Sequence, residues 1–69
     1  MMEGTERKNI RPGVAVRVMQ KQHQHTGELT EGVVQNILTR SAVHPRGIKV
    51  RLVGGIVGRV KEVIGEASG

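Results

Sequence analysis

Apolar and cationic residues alternate strictly through Ile48-Lys49-Val50-Arg51-Leu52, a pattern that a pleated strand sorts onto two opposite faces. Ile48, Val50 and Leu52 then share the inner face, and Lys49 and Arg51 share the outer one. Gly54-Gly55 follows, a pair that readily takes the positive φ angles of a tight hairpin. Ile56-Val57-Gly58-Arg59-Val60-Lys61 resumes the strand and again carries cations. The expected product is a sheet with an apolar underside and a cationic outer side, a platform suited to a polyanion.

The rest of the chain is punctuated in the same way. Val14-Ala15-Val16-Arg17-Val18-Met19 alternates as a first strand with its valines inward, after a turn at Ile10-Arg11-Pro12-Gly13. A polar loop runs from Gln20 to Glu28. The stretch from Leu29 to Thr39 has doubled apolar positions at 33/34 and 37/38, which also fit a helical turn. Its β-branched content and internal glycine favour a strand, with a bulge near Asn36 to keep one buried face. His44-Pro45-Arg46-Gly47 has the Pro and Gly placement of a type I turn.

Short strands, glycine turns and no helix of convincing length predict an all-β fold, a small SH3-like half-open barrel of four to five strands over residues 10–64. Curling the sheet hides edges and one apolar face that a flat sheet this small would expose. Residues 1–9 and 65–69 lack periodicity and are expected to be flexible flanking segments. A chain of 69 residues makes one domain, and at that size only about 60% of the unfolded surface is buried. Cysteine is absent, so disulfides and thiolate zinc sites are excluded. The charged N-terminal stretch is no signal peptide and no apolar run could span a bilayer, so a cytoplasmic protein without membrane contact is expected.

Charge and its placement then narrow the partner class. Eleven Lys and Arg face six acidic residues, all glutamate, for a net +5. From Thr39 to Lys61 no acidic residue occurs, while Arg40, Arg46, Lys49, Arg51, Arg59 and Lys61 all lie there. Such segregation is the footprint of a nucleic-acid binder. The chain has no Phe, Tyr or Trp, so the aromatic stacking of single-strand binders and the pockets of proline-peptide readers are missing. Phosphate and shape should therefore dominate over base reading.

Several strings in this chain resemble the YwbE-like family of small uncharacterised proteins. They begin with Ile10-x-Pro12-Gly13, Val16-x-Val18 and Lys21-x-x-Gln24-x-Thr26-Gly27-x-Leu29-Thr30-x-Gly32-x-Val34. They continue with Ile37-Leu38-Thr39-x-Ser41, His44-Pro45-x-Gly47-Ile48-Lys49-Val50-Arg51-Leu52 and Gly55-x-Val57-Gly58-Arg59-Val60. The resemblance covers nearly all of residues 10–63 and implies a compact domain of this size, with no particular activity. Lys21-Gln22-His23-Gln24-His25 departs from it, since family members tend to carry an acidic residue near position 23. A looser similarity links Pro12–Val18, Gly32-Val33-Val34 and Ile48–Arg51 to KOW-type and other SH3-like modules of ribosomal and transcription proteins.

The expected function is binding of structured RNA, with ribosomal RNA among the candidates, by a monomeric basic module without cofactor. Lys49, Arg51, Arg59 and Arg46 are the expected phosphate contacts, flanked by Lys21 and Arg40, with His44 beside Arg46. Gly13, Gly47 and Gly58 are expected to serve backbone geometry alone. The alternative partner is an acidic protein, docked by adding a strand to a barrel edge. His44 reads first as a turn residue whose ring bonds a nearby backbone group. His23-x-His25 suits a metal only if the loop is extended, and it lacks further ligands, so no metal is expected. No serine has a base and acid in reach of sequence context, and an enzyme is not expected.

Overall fold

The computed structural model describes residues 2–66 and is an all-β barrel. The strands are β1 (Met2–Glu3), β2 (Val14–Met19), β3 (Thr30–Ile37), β4 (Lys49–Leu52) and β5 (Val57–Glu66). Every pairing is antiparallel, in the order β1-β5-β2-β3-β4, and a β4–β5 pairing closes the circle. The result is a closed four-stranded barrel of the SH3-like kind, with β1 added beside the far half of β5. Closure goes beyond the half-open form that the sequence suggested. Two single 3₁₀ turns, Arg7–Asn9 and Lys21–His23, complete the described elements. No helix among the described residues is long and apolar enough to cross a membrane.

The core is aliphatic throughout. Ile10, Val14, Val16, Val18, Val34, Ile48, Val50, Leu52, Val60 and Val63 are buried, each at 3% exposure or less. Strand alternation supplies most of them: β2 buries every second residue, and so does β4. β3 keeps its buried face by a register shift between Val34 and Asn36, the bulge expected from the doubled apolar positions. β5 shifts twice against β2, leaving Lys61 and Ile64 as extra residues. These bulges change the parity of β5, so Gly58 and Val60 face inward and then Val63 does. They also bend the strand enough to serve β4 near its start and β1 farther on.

The β4–β5 hairpin differs by one residue from a minimal Gly-Gly turn. Leu52 N–H donates to the Ile56 carbonyl at 2.7 Å, so the loop is residues 53–55, with Gly54 and Gly55 at φ +103° and +96°. A two-residue turn would set Val50 opposite Arg59 and drive a cation toward the core. The longer loop pairs Lys49 with Arg59 and Arg51 with Val57 instead.

The 44–47 turn forms as expected, with Gly47 N–H donating to the His44 carbonyl at 3.0 Å. Gly47 is buried at φ +102°, and a Cβ there would run into the Val60 carbonyl oxygen. Gly47→Ala is therefore expected to cost about 2–4 kcal/mol, strain plus steric displacement. Gly54→Ala, at a similar φ with open space around it, should cost about 1 kcal/mol. Urea denaturation of the two variants checks the ranking, and equal losses would contradict it.

Residues 2–9, read as an unpatterned segment, carry β1 and a 3₁₀ turn and fold against the barrel. Arg7 N–H bonds the Ala42 carbonyl at 2.8 Å, and Ile48 N–H bonds that of Gly4 at 2.7 Å. A two-residue strand needs no alternation, which is why periodicity could not reveal it. At the other end Gly65 and Glu66 continue β5. Residues 67–69 of the expected tail lie outside the described residues.

Candidate nucleic-acid interface

Two rows of side chains cross the outer surface of the barrel, and they differ in charge logic. In the first, Arg17 on β2 stands between Glu31 on β3 and Glu62 on β5, by register. Its Nη1 donates to Glu62 Oε2 at 2.7 Å, and its Nε lies 3.4 Å from Glu31 Oε1. The Glu62 hydrogen bond and charge, with Glu31 adding to them, hold this guanidinium still further from deprotonation than usual. This cation is neutralised.

In the second row, Met19 on β2 stands opposite Arg59 on β5, and Arg59 stands opposite Lys49 on β4. Arg51 follows two residues along on the same outer face of β4. Like charges placed directly across an antiparallel pair destabilise it. Among the described residues, no carboxylate comes within ion-pair distance of Lys49, Arg51, Arg59, Arg46 or Lys61. Lys49, Arg51 and Arg59 thus share one outer face of β4 and β5.

The like-charged register pair makes a test of its own. Lys49→Glu would turn a cation–cation pair into a cross-strand ion pair with Arg59. It is expected to stabilise the fold by about 0.2–1 kcal/mol, a rise of about 1–8 °C in Tm. A lowered Tm would mean that the Lys49–Arg59 repulsion is already relieved.

Of the remaining expected residues, Arg46 lies beside Arg59, Arg40 and His44 sit on the segment that leads into β4, and Lys21 is not brought to the row. Arg46 is exposed on the 44–47 turn, which two cations pin to β5. Arg59 Nη1 donates to the Gly47 carbonyl at 3.0 Å, and Lys61 Nζ donates to that of Arg46 at 2.9 Å. His44 acts as the sequence suggested, its Nδ1 accepting the Arg46 N–H at 3.2 Å. That bond leaves the Nε2 edge as the part free for another contact. Arg40 is exposed next to Thr39, whose Oγ1 accepts the Lys49 N–H at 2.7 Å. Lys21 is exposed on the 3₁₀ turn of the β2–β3 loop.

Some neighbours were not anticipated. Arg7 reaches the same flank, its Nε donating to the Thr39 carbonyl at 3.2 Å. No sequence signal pointed there, because a backbone bond to Ala42 brings it in from the N-terminal segment. Lys61 was visible in the acid-free stretch but not among the expected contacts. The three-residue spacing of Val60 and Val63 was the clue to the bulge that exposes it.

The 21–25 loop is a 3₁₀ turn rather than extended, so His23 and His25 do not share a strand face. His23 Nε2 lies 3.3 Å from Glu28 Oε2. Among the described residues no group of three or more His, Asp or Glu could hold a metal ion.

Comparison with known proteins agrees with the sequence resemblance. The family model described as "Uncharacterized conserved protein (DUF2196)" matches residues 3–63. The chain is 48% identical over 63 residues to "Uncharacterized protein YwbE" of Bacillus subtilis (strain 168), covering 91% of this chain and 97% of that one. No solved structure matches it. The chain belongs to the YwbE-like family of uncharacterised conserved proteins.

Proposed function

We propose that this protein is a cytoplasmic RNA-binding module that holds the phosphate backbone on the outer face of β4 and β5. It is a binding domain with no catalytic step. The observation that carries the reading is the Lys49–Arg59 register pair, flanked by Arg51 and Arg46, with no carboxylate partner among the described residues. Like charges at one register position repel each other, and an anion that bridges them relieves that repulsion. The Glu31–Arg17–Glu62 row supports the same reading by contrast, because this barrel neutralises a cation where it has no further use for it.

An acidic protein docked by strand addition is less well supported. β4 is hydrogen-bonded to β3 on one side and β5 on the other, so an added strand finds no edge beside the cations. The two readings separate by affinity capture from lysate, with and without nuclease. The chain lacks Trp and Tyr and absorbs almost nothing in the near ultraviolet, so captured nucleic acid dominates the absorbance spectrum. Absorbing material that ribonuclease removes is the expected result. A proteinaceous partner that survives nuclease would overturn the proposal.

A further inference from the structure

A surface cleft of about 340 Å³ is lined by Met19, Gln24, Arg46, Arg59 and Lys61. That is near the lower end of the size of small-molecule sites, roughly 300–1,000 Å³. Three cations reach it from two places, Arg46 from the turn and Arg59 and Lys61 from β5. Among the described residues no carboxylate lines it. Arg59 and Lys61 each give one donor to a carbonyl of the turn, and a guanidinium has five donors and an ammonium three. Their charged heads are thus oriented in advance with donors to spare, which lowers the ordering cost of binding an anion.

Two other walls are not what a bare phosphate requires. Met19 offers a polarisable thioether, a surface that packs well against an aromatic ring. Gln24 offers an amide with both donors and an acceptor, the combination that pairs with a base edge. Bases inside a duplex are stacked out of reach of such a cleft, whereas an unpaired nucleotide can enter it. A second cleft of about 300 Å³ adjoins the first through Arg46 and Lys61 and continues along Gly4 and Thr5. It gives the chain of phosphates a way onward.

We infer that the Met19–Gln24–Arg46–Arg59–Lys61 cleft binds a single unpaired nucleotide of RNA. The phosphate sits on the three cations, and the base lies against Met19 within reach of Gln24. This deepens the RNA reading of the β4–β5 face and rests on it. It also supplies what the lack of aromatic residues withheld, a place where one base is held without a ring to stack on.

The test follows the ¹³C-methyl signal of Met19, assigned through Met19→Leu, during titration with adenosine 5′-monophosphate, adenosine and inorganic phosphate. The nucleotide should shift the Met19 methyl and the Gln24 side-chain amide saturably. Adenosine and phosphate should each bind about tenfold more weakly, each lacking one half of the contacts. Lys61→Gln should weaken nucleotide binding about tenfold, and Lys8→Gln, which removes equal charge beside Glu6, should leave it unchanged. If phosphate binds as well as the nucleotide, or Met19 stays silent, while an RNA hairpin still binds, the cleft proposal fails and the face reading stands. If the hairpin does not bind either, both fall.

Discussion

Lys49→Gln combined with Arg51→Gln should reduce affinity for an RNA hairpin by about a hundredfold at roughly 0.1 M salt. Each residue stands for about one phosphate contact, hence about one unit in the dependence of log K on log salt. Both side chains are exposed on β4 and make no side-chain hydrogen bond or ion pair among the described residues, so the fold should not suffer. Circular dichroism and thermal melting of the variant provide that control. Lys49→Arg with Arg51→Lys keeps the charge and should bind within a few-fold of the parent. A double glutamine variant that binds like the parent would move the interface elsewhere on the barrel.

Leu52→Ala should come close to unfolding the protein. Leu52 and Ile48 are among the largest fully buried side chains in a core that has no aromatic ring. Truncating such a residue costs about 2–5 kcal/mol. A domain of 69 residues carries only about 3–10 kcal/mol of total stability. Tm should fall by at least about 10–20 °C, with Ile48→Ala close behind. Val53→Ala, at an exposed loop position, should stay within about 0.5 kcal/mol of the parent. Far-ultraviolet circular dichroism is the measurement to use, since the chain has no tryptophan fluorescence to follow. A Leu52→Ala variant as stable as Val53→Ala would mean that the barrel interior is not its main support.

The inner surface of this barrel was readable in the sequence because strand periodicity needs no tertiary information. Val14, Val16 and Val18, then Ile48, Val50 and Leu52, declared themselves by alternation, and the bulge after Val34 by doubled apolar positions. The His44-Pro45-Arg46-Gly47 turn was equally local. Strand β1 was not legible, because its two residues are fixed by partners some sixty positions away, Met2 by Val63 and Glu3 by Glu62.

The site was legible in part. An acid-free run of cations predicts a patch, but the opposition of Lys49 and Arg59 depends on the length of the hairpin loop. Met19 and Gln24 join the cations only because β2 and its following loop pack beside β5. Nothing in their own neighbourhood of the sequence announces that. Arg17 shows the converse: it looks like one more cation in the sequence, and only the sheet register reveals its two glutamates.

Binding of a labelled RNA hairpin to the unmodified protein, followed by fluorescence anisotropy across roughly 50–200 mM salt, asks most directly whether these outward cations hold phosphates. Three to four phosphates, held by Lys49, Arg51 and the Arg46–Arg59 pair, predict a straight fall of log K against log salt with slope about −2 to −4. An affinity indifferent to salt would contradict the assignment of this face to RNA.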